Sequence, residues 1–256
     1  MQDETAGRAP PGETVDRFLG GRLTLRQPKP GYRAGADAAL LAAAIDAGAG
    51  ERVIEAGCGA GAALLSAAVR SPGADFTGLE RDPDALALAC ANIAANGLED
   101  RVRAVGGDVA AGFAALGLER FDAALANPPF FDDPKALRAP HPARTGAWMA
   151  DDGLDAWTRF LTAAVKDGGR IAVIHRADRL GDLLALLGAG AGSFRIRPVH
   201  PFADAPAKRV LVQARRGGKA PLVLLPALVL HERGATAKHT DRAEAILRGD
   251  EALGWD

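Results

Sequence analysis

The chain has 256 residues, of which 48% are hydrophobic and 25% are charged, and its formal net charge is −1. This is the composition of a globular protein with a sizeable core, and the near-neutral charge argues against indiscriminate adhesion to nucleic acid. No apolar run approaches the ~20 residues of a membrane-spanning helix, and Cys58 and Cys90 lack the spacing of a zinc site. We therefore expect a cytoplasmic protein with reduced thiols, no bound metal and no membrane contact.

The N-terminal part of the chain contains three kinds of segment. Residues 1–14 are rich in Gly, Pro and acidic side chains, a composition that predicts disorder. Residues 15–27 alternate apolar and polar side chains around a Gly-Gly pair, which is typical of a β-hairpin. After a loop at 28–33, the sequence predicts an apolar helix over 37–47. Together these elements predict an N-terminal hairpin and cap over residues 15–47.

Strands and helices alternate from residue 48 onward. Strands are predicted at 52–55, 75–80, 102–106, 121–126, 170–175, 195–201 and 209–215, and helices at 61–70, 84–96, 154–165, 179–187 and 241–248. This order predicts an α/β fold with a doubly wound, mostly parallel sheet of seven strands, whose last two strands form an antiparallel edge. Residues 15–256 then form one domain, with its core and a C-terminal extension over 48–256. The apolar segment 222–232 predicts one or two packed strands.

Three glycines follow the first strand of this core, at positions 57, 59 and 61. Glycine permits a tight turn and lets backbone N–H groups approach a ligand closely. Glu55 lies inside the motif, and Glu80 ends the next strand, where a carboxylate can accept both hydroxyls of a ribose. The glycine string also fits the dinucleotide fingerprint, and a tight strand-to-helix connection without a ligand is a further interpretation.

An acidic residue also follows the third strand of the core. Asp108 can accept a hydrogen bond from the exocyclic amine of an adenine, while Val109 covers one face of the ring. Asp108 is equally suited to cap a helix over residues 109–116. The two roles use different oxygens and are compatible.

The tetrapeptide Asn127-Pro128-Pro129-Phe130 directly follows the fourth strand. Two prolines lack N–H donors and cannot continue a central strand, so the backbone must leave the sheet at Asn127. The turn presents an amide and carbonyl oxygens beside an aromatic ring, at the edge of the sheet where α/β proteins bind ligands. A rigid exit turn whose Asn bonds its own backbone is the alternative.

In this order and spacing, the four motifs resemble those of class I S-adenosylmethionine-dependent methyltransferases, which have a Rossmann-like fold. The Asn-Pro-Pro-aromatic version resembles enzymes that methylate the planar amino nitrogen of adenine or glutamine. Segments 27–41 and 206–212 resemble the bacterial tRNA (adenine-N6)-methyltransferases that modify the adenine beside the anticodon of a valine tRNA. The residues that the resemblance assigns to S-adenosylmethionine are Tyr32, Arg33, Asp37, Glu55, Gly57, Cys58, Gly59, Gly61, Glu80, Arg81, Asp108, Val109 and Asn127.

The resemblance also implies a catalytic role for the whole tetrapeptide. The Asn127 side-chain carbonyl and the Pro128 backbone carbonyl would accept the two amino hydrogens, while Pro129 stiffens the turn. This contact localises the nitrogen lone pair and aims it at the methyl group, so that transfer relies on positioning and electrostatics. Phe130 would stack on the acceptor base, as aromatic side chains do for flipped or unpaired nucleotides.

Two basic segments are expected to contact an RNA substrate. Residues 195–219 contain seven Lys and Arg residues and one acid, and Lys208 and Arg209 are the predicted phosphate contacts among them. The long polar connection over 131–153 supplies Lys135 and Arg138 and is expected to be functional. The alternative for the basic segment is a scattered set of solvated charges. Trp148 and Trp157 either line the base pocket or pack.

Three functions remain open at this stage. The favoured one is N6-methylation of an RNA adenine in a tRNA anticodon loop, because of the basic C-terminal segment and the lack of a separate N-terminal helical domain. The second is N5-methylation of a glutamine in a protein, and the third is a catalytically silent cofactor-binding or RNA-binding protein. The sequence does not distinguish a monomer from a dimer.

Overall fold

The computed structural model describes residues 12–29, 34–129 and 153–255. Its centre is a mixed β-sheet with helices on both faces. The strands are β1 (Glu13–Phe18), β2 (Leu23–Pro28), β3 (Arg52–Ala56), β4 (Asp75–Glu80), β5 (Val102–Gly106), β6 (Phe121–Ala126), β7 (Val165–Arg176), β8 (Ala191–His200), β9 (Arg209–Arg216), β10 (Val223–Leu224) and β11 (Leu228–Val229). The helices are α1 (Ala36–Ala43), α2 (Ala62–Arg70), α3 (Pro83–Ala95), α4 (Gly153–Ala164), α5 (Leu180–Leu187) and α6 (Asp241–Arg248).

Seven long strands make up the sheet in the order β5-β4-β3-β6-β7-β9-β8. Neighbours run parallel except around β9, which is antiparallel to both β7 and β8. The predicted doubly wound α/β sheet is thus confirmed. The predicted antiparallel pair of last strands also forms, but β9 lies between β7 and β8, so that β8 is the outer strand. The short β10 and β11 both pair in parallel with β8 and bring the sheet to nine strands.

The strand order reverses at β3. From there the chain adds β4 and β5 on one side, and then returns to place β6 on the other side. In such sheets the crevice outside the carboxyl ends of the strands at this point is where ligands bind. The motifs after β3, β4, β5 and β6 therefore meet at one edge.

Two apolar layers hold the sheet between its helices. One layer packs α1, α2, α3 and α6 on one face and includes Leu25 of the hairpin. The other packs α4 and α5 on the opposite face. In this second layer, the Phe113 ring meets the rings of Phe121 and Phe160 edge to face, with centroids 6.2 and 5.8 Å apart. Rings in this geometry attract one another beyond simple burial.

The N-terminal hairpin pairs β1 with β2 as predicted and is held to the core by α3. The side chain of Asn92, which is fully buried, accepts from the Arg26 N–H at 2.8 Å and donates to the Arg26 carbonyl at 2.9 Å. Its amide also donates to the Ala60 carbonyl at 2.9 Å. Asn96, one turn later, bonds both backbone groups of Thr24. A single buried amide therefore joins the hairpin to the loop between β3 and α2.

Several element boundaries differ from the sequence predictions. The hairpin begins at Glu13 because Glu13 and Thr14 pair with Pro28 and Gln27, inside the predicted disordered segment 1–14. The helix predicted over 37–47 ends at Ala43, and the chain turns there to feed β3. The predicted helix over 109–116 is two 3-10 turns, because Gly112 with φ of 80° separates them.

The segment 222–232 forms two short strands, as predicted, but its beginning is not packed. Leu222 and Leu224 are 50% and 66% exposed, since β10 lies at the edge of the sheet and pairs only with β8. An edge strand has no neighbour on its far side that could cover such side chains.

Replacing Asn92 tests the attachment of the hairpin. We expect Asn92→Ala to lower the free energy of unfolding by about 2–3 kcal/mol, because it leaves buried backbone groups of Arg26 and Ala60 without a partner. Asn96→Ala, at a half-buried position that does not contact Ala60, should cost less. Urea unfolding of both variants measures the difference, and equal losses would contradict this role of Asn92.

Candidate active site

The predicted site residues gather at the carboxyl ends of β3, β4, β5 and β6. In the sheet register, Ala56 at the end of β3 lies opposite Ala126 at the end of β6. Gly57 and Asn127, which follow them, therefore leave the sheet side by side. Glu80 ends β4 on the other side of β3, and Asp108 follows β5. The arrangement places the glycine loop between a carboxylate and the Asn-Pro-Pro turn.

The glycine loop depends on backbone conformations that other residues rarely adopt. Gly57, Gly59 and Gly61 have φ of 66°, 56° and 89°, in the left-handed region that costs other L-residues about 1–2 kcal/mol. Cys58 between them is buried; its N–H donates to the Leu79 carbonyl at 2.9 Å, and burial raises the pKa of its thiol. Among the described residues, no atom lies within 4 Å of a Cβ built at Gly59. The loop thus presents open backbone toward the crevice.

Glu80 ties the glycine loop to the beginning of α3. One carboxylate oxygen accepts the Gly59 N–H at 2.8 Å, and the other accepts the N–H groups of Arg81 and Asp82 at 2.8 and 2.9 Å. A carboxylate has about four acceptor positions, so three backbone bonds leave capacity for a ligand hydroxyl. The one remaining acceptor position suits one ribose hydroxyl, whereas the sequence predicts that Glu80 accepts both.

Glu55 is a buried residue of β3 whose carboxyl group reaches the Leu64 N–H in the first turn of α2. Its side chain is 3% exposed, and one carboxyl oxygen has no hydrogen-bond partner among the described residues. Burial raises the pKa of Glu55 well above its usual value, and the nearby charge of Glu80 adds to this rise, whereas the Leu64 N–H opposes it. Burial thus favours the protonated form of Glu55, which can donate a hydrogen bond as well as accept one.

Asp108 is a cap, in agreement with one of its two predicted roles. One oxygen accepts the Ala110 N–H at 2.9 Å, and the other lies 3.9 Å from a guanidinium nitrogen of Arg81. Val109 beside it is buried, at 8% exposure. The cap and a contact with a ligand base remain compatible, because the carboxylate is half-exposed at 45%.

The Asn-Pro-Pro turn leaves the sheet at the predicted residue. β6 ends at Ala126, Asn127 and Pro129 are half-buried, and Pro128 is buried. The remaining predicted site residues in this region and elsewhere lie outside the described residues: Phe130, Tyr32, Arg33, Lys135, Arg138 and Trp148, together with residues 131–152 of the long connection.

Asp37 and Arg209 contact each other. The Arg209 Nε donates to the Asp37 carboxylate at 2.9 Å, and both side chains are about a quarter exposed. Gly35 occupies the cap position of α1, so Asp37 lies in the first turn of the helix and is not its cap. A residue predicted to bind the cofactor and one predicted to bind RNA thus form an ion pair that joins α1 to β9.

The basic segment 195–219 is not one surface. Arg197 is buried at 3% exposure and donates to the carbonyls of Pro226 and Gly254, so it has a packing role. Because β9 is antiparallel, Lys208 and Arg209 lie at the edge that carries Asn127. Arg215 at its far end pairs with Arg170 at the opposite edge. The structure therefore separates the predicted patch and leaves two of its members beside the site.

Two residues at the glycine loop were not assigned a role by the motifs. Asn92 bonds the Ala60 carbonyl, as described above. Trp157 of α4 packs so closely on Gly57 that a Cβ there would lie 2.3 Å from the Trp157 ring. The only signal in the sequence was an aromatic residue at the start of a helix, which packing alone explains equally well.

The chain resembles known proteins over most of its length. Residues 34–139 match the family described as methyltransferase small domain. A tRNA1(Val) (adenine(37)-N6)-methyltransferase from Dickeya chrysanthemi is 33% identical over 195 residues, which cover 73% of this chain and 74% of the relative. A ribosomal protein uL3 glutamine methyltransferase from Bradyrhizobium diazoefficiens is 34% identical over 140 residues, 52% of this chain and 43% of the relative. The crystal structure of a predicted O-methyltransferase from Agrobacterium tumefaciens superposes with a TM-score of 0.71 at 26% identity, over 84% of this chain and 97% of that one.

Within the described ranges, no helix is both long and apolar enough to cross a membrane. The same part of the chain contains no group of three or more His, Cys, Asp or Glu side chains that could hold a metal ion.

Alanine at the two loop glycines should have different effects. Gly57→Ala combines a strained φ with a clash against a rigid ring, and we expect it to lower the free energy of unfolding by about 2–4 kcal/mol. Gly59→Ala should cost only the strain of about 1–2 kcal/mol but abolish measurable S-adenosylhomocysteine binding, because its methyl group would occupy the open space beside the loop where we expect the cofactor to lie. Urea unfolding and calorimetry measure both effects; equal destabilisation would contradict the contact with Trp157.

The raised pKa of Glu55 predicts a pH-dependent effect of Glu55→Gln. Because the folded-state pKa lies above the unfolded one, the stabilisation from protonated Glu55 is full below the unfolded pKa and is lost as pH rises through the folded pKa. The neutral amide avoids this loss. Relative to wild type, the variant should therefore gain unfolding free energy with rising pH, by at most about 1.4 kcal/mol per pH unit. Urea unfolding of both proteins at a series of pH values measures the difference in unfolding free energy. A difference that does not change with pH would contradict the raised pKa of Glu55.

Proposed function

The chain belongs to the S-adenosylmethionine-dependent methyltransferase family that includes the bacterial tRNA1(Val) (adenine-N6)-methyltransferases, and we propose that it methylates N6 of an adenine in a tRNA anticodon loop. The observation that carries the proposal is the position of Asn127 and Pro128, which leave β6 directly beside Gly57 of the glycine loop. A planar amino group held by this turn would face the place where the loop holds the methyl donor.

The residues of the crevice fit S-adenosylmethionine. The open backbone at Gly59 leaves room for the cofactor beside the glycine loop. The Glu80 carboxylate can accept a ribose hydroxyl, and Asp108 can accept from the adenine amine. When bound, the cofactor supplies an electrophilic methyl group on a sulfonium sulfur. The bonds from Gly59, Arg81 and Asp82 to Glu80 hold the carboxylate in place before any ligand arrives, which lowers the entropy cost of binding.

The Asn-Pro-Pro turn would act on the acceptor nitrogen. An exocyclic amine on a ring is a weak nucleophile because its lone pair is delocalised into the ring. The carbonyl oxygens of Asn127 and Pro128 accept its two hydrogens and thereby direct the lone pair toward the methyl group. Pro128 is buried and Pro129 has a fixed φ, so the turn keeps these acceptors in position without rearrangement. The acceptor nitrogen becomes acidic on methylation and loses a proton to water, so the step needs no strong base.

RNA as the substrate is supported by two observations. The relative from Dickeya chrysanthemi that aligns with 73% of this chain is named as a tRNA adenine methyltransferase. Lys208 is exposed at the same edge of the sheet as Asn127, where a phosphate of a bound nucleic acid would lie. A base in an anticodon loop is already unpaired, which lowers the cost of placing it in the site.

A glutamine side chain is the competing acceptor, because it presents the same planar nitrogen. The match to a glutamine methyltransferase supports it, but this match covers 43% of that relative, against 74% for the tRNA enzyme. Labelled S-adenosylmethionine incubated with unmodified total tRNA, release factors and ribosomal proteins separates the two. We expect label in tRNA, at N6-methyladenosine after digestion; label only in protein would contradict the proposal.

Replacing Asn127 should impair transfer more than cofactor binding. We expect Asn127→Ala to lower kcat on tRNA by at least about 100-fold, a loss typical of removing one preorganised polar contact in a catalytic site. The affinity for S-adenosylhomocysteine should fall much less, because Glu80 and the glycine loop are unchanged. Single-turnover kinetics and calorimetry measure the two effects. A wild-type kcat in this variant would contradict the catalytic role proposed for Asn127.

A further inference from the structure

We propose that a stack of four side chains beyond β8 is a second RNA-binding surface, which holds single-stranded nucleotides several positions from the acceptor base. This surface, termed the C-terminal stack, consists of Phe202, His231, Arg233 and His239. The inference rests on the proposed function for the identity of the nucleic acid, but its geometry and its test are independent of methyl transfer.

The four side chains form a continuous series of planar groups in contact, of which the two histidine rings are stacked. The Arg233 guanidinium lies 4.3 Å from the centre of the Phe202 ring. The Phe202 and His231 rings are 5.7 Å apart and tilted by 49°, and the His231 and His239 rings stack at 5.0 Å with 24° between their planes. Phe202 and both histidines are half-buried and Arg233 is exposed, so the series reaches the surface. Aromatic rings with a stacked arginine are the groups on which unpaired bases bind without regard to sequence.

The two loops that carry the stack are anchored to the end of β8. The N–H groups of Leu230 and His231 donate to the carbonyls of His200 and Pro201 at 2.8 and 2.9 Å. The His200 ring is hydrogen-bonded to the Ala205 carbonyl at 2.7 Å, which closes the turn behind Phe202. The stack is therefore held in place before any ligand binds, and less side-chain entropy is lost on binding.

The strand order places the stack at the same edge of the sheet as the Asn-Pro-Pro turn. β8 runs parallel to β6 and β7, because β9 between β7 and β8 is antiparallel to both. The carboxyl end of β8 at His200 is three strand spacings from that of β6 at Ala126. At about 4.8 Å per spacing, this is roughly 14 Å across the sheet. In the register Ala126 is level with Ile196, so His200 lies four residues further along the strands, and the two ends are about 20 Å apart. An RNA strand whose adenine enters beside Asn127 can reach the stack with a nucleotide several positions away.

The charge around the stack suits a phosphate backbone. Lys208 and Lys238 are exposed on the two loops, and Lys208 lies between the stack and the Asn-Pro-Pro turn in the strand order. Two acids oppose them: Glu232 is exposed beside His231, and Asp204 is paired with Arg233 at 3.0 Å and thereby holds the guanidinium over Phe202. The stack thus offers planar faces for bases, with cations beside them for phosphates.

Substitution of Phe202 tests the surface by direct binding of RNA. The probes are an unmodified tRNA anticodon stem–loop and an unstructured oligouridine, each titrated with full-length protein at several salt concentrations. We expect Phe202→Leu, which keeps an apolar side chain but removes the π face, to weaken binding about tenfold, as for the loss of one stacked base. The salt dependence should not change. Phe202→Trp should bind at least as tightly as wild type.

A matched pair of lysines separates stacking from charge. Lys208→Ala should reduce the slope of log K against log salt by about 0.7, the value for one phosphate of a single strand. Lys219→Ala removes an exposed cation at the opposite edge of the sheet and should bind like wild type. Thermal unfolding and S-adenosylhomocysteine binding of each variant confirm an intact fold.

Three outcomes would overturn the surface: no RNA binding by the wild-type protein, wild-type affinity in Phe202→Leu, or equal losses in Phe202→Leu and Phe202→Trp, which would indicate a packing role. The proposed function fails separately. A protein that binds RNA through Phe202 but transfers no methyl group to it would contradict the proposed function and support the surface. Methylation of tRNA with the same KM in Phe202→Leu would be a fourth outcome against the surface, and it would leave the proposed function standing.

Discussion

The close approach of the turn after β3 to the end of β4 is the constraint on which the site depends. Gly59 donates to Glu80 at 2.8 Å and Cys58 donates to the Leu79 carbonyl at 2.9 Å, so the loop is bonded along the neighbouring strand. This is possible only because Gly78 in β4 has no side chain: a Cβ there would lie 2.6 Å from the Cys58 sulfur. The glycines permit the turn, and the carboxylate then holds it.

The loop is also held from its other side. The Asn92 amide bonds the Ala60 carbonyl, while the Trp157 ring covers Gly57 on the α4 side. Elements from three distant parts of the chain, α3, α4 and β4, therefore fix the same five-residue turn. Such support makes the glycine loop rigid before a ligand binds. Rigidity matters here because positioning is the main contribution that a protein makes to transfer of an activated methyl group.

Much of the fold was predictable because its signals are local. Alternating strands and helices predicted a doubly wound sheet, and the boundaries of α2, α4 and α6 agree with the predictions within one residue. The errors at element ends have two sources, a glycine within the segment and a pairing partner from another segment. The turns after Asp108 break at Gly112, and the N-terminal strand extends to Glu13 because β2 offers it a partner.

The sequence by itself determined that Gly57, Glu80 and Asn127 share an edge, because parallel strands of one sheet end on the same side. It did not determine which distant side chains meet there. The insertion of β9 between β7 and β8 is what carries Arg209 to Asp37. Only the tertiary structure decided these contacts, because the order of strands in a sheet is set by packing between segments far apart in the chain, whereas a strand, a turn or a cap is set by its own few residues.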